Sequence, residues 1–188
     1  MKNWHIAAGL GGATAIGVGV WLIVRQAEAE SPPETAMPPQ PDPELQHGAT
    51  ATGYIKGEPQ TINLVSVGNN QFMRDDAARN FLSMQQAASA AGIPLTATSG
   101  FRSNLQQIKL YAGWVAKLPG FNLAAKPGWS NHQGGISVDI GGVGSFTSAA
   151  YKWLTLNAGR YGFRNDVRSE YWHWTYSGGT GAVAGISR

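Results

Sequence analysis

An α+β domain is predicted from three observations. Residues 75–91 repeat apolar side chains at helical spacing, and Ser103 with Gln106 spells a helix start. Residues 136–140 and 170–176 carry the β-branched and aromatic content of strands. At 188 residues, 43% hydrophobic and 10% aromatic, the chain has apolar material for one core plus appendages. One globular domain is expected, with strands in its middle flanked by helices.

The elements follow in order. In "DDAARNFLSMQQAASAA" (75–91), Ala77, Phe81, Met84, Ala88 and Ala91 fall on one helical face, and Gly92 is a stop signal. "PLTATSG" (94–100) reads as a short strand. The capping box of Ser103 and Gln106 opens a helix running to about Lys117. Thr147 is placed to cap a further helix carrying Ala150, Trp153, Leu154 and Tyr161 and ending at Gly162. "ISVDI" (136–140) and "EYWHWTY" (170–176) complete the strands, with His132 in a strand-like segment just before the first.

Outside the domain the composition changes. Residues 4–24 contain no Asp, Glu, Lys or Arg, and about 20 apolar residues span a bilayer core. Residues 1–27 are therefore expected to be a membrane anchor entering the lipid bilayer through 4–24, or, if cleaved near Ala27-Glu28-Ala29, a signal segment. Gly9, Ala13 and Gly17 recur every four residues, either a stripe through which two such helices approach closely and self-associate or simply the pattern of a Gly-rich segment. Lys2 before the span and the acidic residues after it favour the bulk of the chain outside the cytoplasm. Residues 28–49 are an acidic, Pro-rich tether: 28–45 hold six prolines and five acidic residues without Lys or Arg. Residues 50–178 form the domain, and 179–188 a Gly-rich tail. From residue 50 onward twelve Lys and Arg face six Asp and Glu, a balance suited to anionic cell-wall polymers or simply to solubility. With an export signal and neither a phosphate loop nor a basic-aromatic array, nucleic acid is not an expected partner.

The chemistry centres on few residues. The chain has no cysteine, so a metal site must use His, Asp or Glu. Beyond residue 50 only His132 and His173 are available as histidines, each near a carboxylate. His132, Asp139 and His173 can supply three ligand atoms and leave a fourth position for water, the catalytic zinc pattern. Glu170 then has the chemistry of a general base that is not a ligand. Residues three apart point to opposite faces of a regular strand, so Glu170 and His173 share a site only if Glu170 sits at a bend where the strand begins. The alternative is structural: His132 caps a turn, Asp139 hydrogen-bonds a loop, and His173 packs between Trp172 and Trp174.

Several stretches together resemble the VanY-type D-alanyl-D-alanine carboxypeptidases and the wider zinc peptidase group that includes lysostaphin-type enzymes and the hedgehog signalling domain. The motif S-x-H-x-x-G-x-x-x-D is met by Ser130, His132, Gly135 and Asp139, and E-x-W-H by Glu170, Trp172 and His173. "SGFRSNLQQIKLY" is similar to the family's S-G-Y/F-R-S-x-x-x-Q segment through Ser99, Gly100, Phe101, Arg102, Ser103 and Gln107. The resemblance covers roughly residues 65–177.

The resemblance implies a small antiparallel sheet carrying one Zn²⁺ per chain on His132, Asp139 and His173. It implies that Glu170 accepts a proton from water at the metal, and that Arg102 sits near the substrate carbonyl or carboxylate. Ser130, Gln107 and Trp172 are second-tier substrate-binding candidates; Ser130 and Gln107 also suit the hydrogen bond that a metal-bound histidine's other ring nitrogen needs. The implied substrates are peptidoglycan stem peptides. A terminal D-Ala-D-Ala bond, a D,D-crosslink and an L-Ala-D-Glu bond all fit the machinery, and the Glu base resembles the D,D-carboxypeptidase branch. A lytic endopeptidase of a virus or secretion machine, or a non-catalytic zinc-containing wall-binding module, would share these residues.

Overall fold

The computed structural model describes residues 49–178. The expected anchor with its Gly9, Ala13 and Gly17 stripe, the tether up to residue 48 and the tail from 179 lie outside them. Among the described residues no helix is long and apolar enough to cross a membrane.

The described chain opens with a three-stranded antiparallel sheet in addition to the strands expected at 94–100, 136–140 and 170–176. Strands β1 (Thr50–Ile55) and β2 (Glu58–Ser66) form a hairpin, and β3 (Phe72–Arg74) adds to β2. Lys56 and Gly57, with φ of 53° and 89°, close the hairpin in the both-positive geometry that matches strand twist. Few residues of this sheet are buried. In β2 only Ile62 and Leu64 are, joining Phe72 and Phe101 in a small satellite cluster.

Helix α1 (Asp75–Ala90) follows β3 directly and buries Ala77, Ala78, Phe81, Met84 and Ala88, as the periodicity requires. Ala91, expected on that face, caps the helix and is exposed, because the chain leaves helical geometry there and turns at Gly92, φ 75°. After β4 (Thr96–Ser99), helix α2 (Asn104–Val115) starts at the expected capping box: Ser103 Oγ accepts from the Gln106 amide, and the Gln106 side chain from the Ser103 amide. It ends two residues before Lys117.

Helix α3 (Ala149–Asn157) is continued by a 3-10 turn at Ala158–Tyr161 and stopped at Gly162 with φ 76°. Its cap is Ser148 and not Thr147. Ser148 is extended and its Oγ accepts from the Tyr151 amide at 3.2 Å, whereas the Thr147 hydroxyl is engaged by Ser145.

The second sheet has four antiparallel strands in the order β4-β5-β7-β6, with β5 at Ser137–Gly141, β6 at Phe163–Arg164 and β7 at His173–Tyr176. Strand alternation divides its two central strands into faces. Val138, Ile140, Trp174 and Tyr176 enter the main core with Phe81, Met84, Leu154 and Phe163. Large side chains buried in this way each contribute about 1.5–3 kcal/mol. The other face carries Ser137, Asp139, His173 and Thr175. The core thus clamps one side of β5 and β7 and fixes where the polar side points.

Candidate metal centre

Asp139 on β5 and His173 on β7 are directly paired across the strands, so their side chains share the polar face. His132 arrives from elsewhere. Instead of the strand-like segment expected, residues 131–135 form a turn, closed by Gln133 N to Ser130 O (3.0 Å) and Gly135 N to His132 O (3.0 Å). Buried Gln133 anchors it, accepting from the Gly128 amide at 2.7 Å and donating to Asn104 Oδ1 at 3.0 Å. Gly135 has φ 68°, and a Cβ there would lie 2.9 Å from the Arg74 nitrogen, which explains glycine in the S-x-H-x-x-G motif.

Three potential ligand atoms converge. His132 Nε2 lies 3.3 Å from His173 Nδ1 and 3.4 Å from Asp139 Oδ1, and His173 Nδ1 lies 3.0 Å from Asp139 Oδ1. Tetrahedral zinc with bonds of about 2.0–2.1 Å separates its N and O ligands by roughly 3.3–3.4 Å. Two edges of the triangle match this spacing and the third, at 3.0 Å, is slightly shorter. His132 Nδ1 is 2.7 Å from the Gly100 carbonyl, an obligate acceptor, so the ring proton sits on Nδ1 and Nε2 turns a lone pair toward the Asp139 carboxylate. Two facing lone pairs need a cation between them. The donor set fits a divalent metal, and among the described residues it is the single metal-competent cluster of His, Asp and Glu.

Electrostatics favour the ligand forms. Burial, with the nearby Arg102 charge, pushes His132 down to about 4, so the ring is neutral at pH 7. Burial alone would raise Asp139, but the Arg102 guanidinium paired to its carboxylate pulls the other way and holds the carboxyl below the usual range. Arg102 donates from Nη2 to Asp139 Oδ2 at 2.7 Å, leaving Oδ1 for the cluster. Ser99 Oγ accepts from Arg102 Nε and Nη2 at 3.0 and 2.8 Å. The guanidinium is thus both an ion pair and a lining group of the cleft.

Glu170 stands where the strand argument required. Residues 170–172 form a turn ahead of β7, closed by His173 N to Glu170 O at 3.2 Å, so the strand begins only at His173. Glu170 Oε2 is 4.0 Å from His173 Nδ1, beside the cluster but outside it. Its pKa is raised by burial and by Asp139 and Asp166, against the opposing pull of His173 and Arg102.

These residues line a cleft of about 610 Å³, shared with Gln107, Ser130 and Trp172. Neither Ser130 nor Gln107 partners a histidine. His132 uses the Gly100 carbonyl, while His173 Nε2 faces Thr175 and Asp166. The Ser130 hydroxyl makes no hydrogen bond among the described residues. Gln107 donates to Ala125 O at 2.8 Å, while its buried Oε1 has no partner there. Trp172 is half-buried against Tyr171; Trp174 belongs to the core.

Three supporting residues went unrecognised in the sequence. Asn165 donates to the carbonyls of both Glu170 (2.7 Å) and His173 (2.8 Å), stapling the turn that aims them. Asp166 and Thr175 meet behind His173. Thr175 was discoverable, since period-2 alternation places it on the face of His173; Asn165 and Asp166 lie in a loop without periodicity.

The comparisons agree with this geometry. Residues 70–179, more than half of the chain, match the family model "VanY: D-alanyl-D-alanine carboxypeptidase". A D-alanyl-D-alanine carboxypeptidase of Enterococcus faecalis is 31% identical over 116 residues, 49% of this chain and 43% of the relative. This chain thus spans less than half the length of that relative. VanYB in complex with D-alanine-D-alanine superposes with a TM-score of 0.51 at 26% identity, covering 62% of this chain and 78% of that one. The LD-carboxypeptidase LdcB, whose structure concerns peptidoglycan recognition, gives 0.50 at 28% identity over 58% and 61%. The matched region contains the whole His132, Asp139 and His173 cluster together with Arg102 and Glu170, and by this match the chain belongs to the VanY D-alanyl-D-alanine carboxypeptidase family.

Proposed function

We propose that this protein is a zinc-dependent peptidase acting on peptidoglycan stem peptides, with a terminal D-Ala-D-Ala bond as its preferred substrate. The observation that carries the reading is the triangle of His132, Asp139 and His173 in a cleft, with a non-ligating carboxylate, Glu170, 4.0 Å from His173 Nδ1. The D-Ala-D-Ala preference is supported by the name of the Enterococcus faecalis relative and by the ligand of VanYB.

When bound, Zn²⁺ supplies Lewis-acid polarisation of the scissile carbonyl and acidification of water. Glu170 accepts the proton of the attacking water and returns it to the departing amine nitrogen. Its raised pKa brings it nearer to neutrality and suits both transfers. Arg102, held by Ser99 and Asp139, places positive charge where the carbonyl oxygen gains negative charge or where a C-terminal carboxylate is bound. The free hydroxyl of Ser130 offers the substrate a further hydrogen bond, and Trp172 supplies an apolar wall.

We place this domain outside the cytoplasm, held by residues 4–24 in a membrane and spaced from it by the acidic tether, with Gly9, Ala13 and Gly17 as a surface for self-association. Mass spectrometry of purified peptidoglycan and of synthetic penta- and tetrapeptides after digestion tests the reading. Release of D-Ala from the pentapeptide is expected. Release only from the tetrapeptide would reassign the bond, and no cleavage by the zinc-loaded protein would refute the peptidase.

A further inference from the structure

The imidazole of His173 lies between two carboxylates. On one edge, Nδ1 is 3.0 Å from Asp139 Oδ1 and faces the ligand triangle. On the other, Nε2 is 3.3 Å from Thr175 Oγ1 and 3.5 Å from Asp166 Oδ1. A neutral imidazole carries one proton, and its position decides which nitrogen can bind a metal. With the proton on Nδ1, His173 would donate to Asp139 and could not act as a ligand. With the proton on Nε2, the lone pair of Nδ1 faces the triangle.

The groups behind the ring favour one direction for each hydrogen. Asp166 Oδ1 can only accept, and Thr175 Oγ1 lies 2.8 Å from it, so the threonine hydroxyl donates to the carboxylate. The threonine's lone pairs are then left for its neighbours. Ser137 Oγ, 2.6 Å away, donates into one, and His173 Nε2–H into the other. Ser137 and Thr175 are buried, which shields these hydrogen bonds from bulk water. Asn131 Nδ2 donates to Asp166 Oδ2 at 3.2 Å and ties the carboxylate to the turn that carries His132.

We propose that Asp166, acting through the Thr175 hydroxyl, is the positioning residue that keeps the His173 proton on Nε2 and thereby presents Nδ1 to the metal. Thr175 works as a polarised acceptor: because its own hydrogen is committed to Asp166, it cannot donate to Nε2 and cannot stabilise the wrong tautomer. Asn131 makes the arrangement common to both histidines, since it sits next to His132 in sequence and holds the carboxylate that orients His173. The inference rests on the reading of His173 as a ligand, and the experiment separates the two.

Zinc affinity of the full-length protein in detergent is measured by competition with a chromophoric chelator for wild type, Thr175→Val, Thr175→Ser, Asp166→Ala, the Thr175→Val/Asp166→Ala double variant and His173→Ala. Loss of an outer partner of a metal-bound histidine typically costs about 10–100-fold in affinity. Thr175→Val and Asp166→Ala are each expected to fall in that range. Because they act in series, the double variant should be no weaker than the worse single variant. Thr175→Ser, which retains the hydroxyl, should stay within about 3-fold of wild type, a rescue that a purely packing role for Thr175 would not give. Near-UV circular dichroism of the metal-free variants confirms that each is folded; should Asp166→Ala fail to fold, Asp166→Asn and the threonine pair decide the matter. Unchanged affinity in folded Asp166 variants, or additive losses in the double variant, overturns the relay while leaving the metal site intact. Unchanged affinity in His173→Ala overturns both.

Discussion

Asp139 and His173 are direct partners across β5 and β7, with Asp139 Oδ1 3.0 Å from His173 Nδ1 and Asp139 Oδ2 held by Arg102 at 2.7 Å. The carboxylate therefore divides its two oxygens between the ligand cluster and the guanidinium. Asp139→Asn places an amide in one of these positions and removes the charge that both neighbours use. Zinc affinity and turnover are expected to fall together, affinity by at least about tenfold. Zinc content measured beside hydrolysis rate checks this; full zinc occupancy in Asp139→Asn would remove it from the ligand set.

Glu170 should behave differently. Glu170→Gln keeps size and reach but cannot take up a proton at neutral pH. Zinc is expected to stay bound, while kcat falls by about 10²–10⁴-fold, the usual worth of a positioned acid-base group. Metal loss in this variant would make Glu170 a ligand or a structural support.

The raised Glu170 pKa has a visible consequence for the pH profile. A general base must be ionised, so kcat/KM rises with pH through the Glu170 pKa. Burial lifts that pKa in the metal-free site and a bound divalent cation would lower it, but in either case the acid limb belongs to Glu170 and should vanish in Glu170→Gln. A rate profile on an N-acetylated peptide ending in a free D-Ala-D-Ala carboxylate, with zinc occupancy followed at each pH, isolates this limb. The same limb in Glu170→Gln with zinc retained would contradict the assignment.

Metal-free protein should be acid-sensitive. His132 titrates at about 4 when folded against 6.5 when unfolded, so between those values the unfolded chain binds more protons. Its contribution to stability is complete above pH 6.5 and is lost as pH falls toward 4, roughly 3 kcal/mol in all. Depressed Asp139 acts in the same direction at lower pH. Urea unfolding of metal-free protein at pH 7 and pH 4.5 reads the loss; equal midpoints would exclude it.

Gly100 couples fold to site. A Cβ there would come 2.3 Å from the Phe72 carbonyl oxygen, and the Gly100 carbonyl is the acceptor for His132 Nδ1 at 2.7 Å. Gly100→Ala must push β3 and the 99–102 segment apart, which at the usual cost of overpacking loses about 1–3 kcal/mol. Weaker zinc binding should accompany it, because the carbonyl moves with the backbone. A stability loss with unchanged zinc affinity would show that the carbonyl does not orient His132.

By itself the sequence determined those features whose cause is local. Apolar spacing located α1, the Ser103 and Gln106 box started α2, and Gly162 stopped the 3-10 turn, since each depends on residues a few positions apart. Motif residues pointed to the His132, Asp139 and His173 cluster, which could hold a metal ion, because few side chains can bind zinc and this chain has only two histidines beyond residue 50. Tertiary structure decided the rest. Strand register set Asp139 against His173, and a buried turn, not a strand, delivered His132. The partners of the ring nitrogens came from the Gly100 carbonyl and from Thr175 with Asp166, not from Ser130 or Gln107. Hydrogen bonds to a backbone carbonyl leave no trace in residue type, and Asp166 meets His173 only because β6 and β7 pair at the end of the loop between them. The first sheet escaped notice for a related reason: its buried residues, Gly53, Ile62, Leu64, Phe72 and Met73, are scattered over three strands, and the backbone pairing that joins them is not recorded in sequence periodicity.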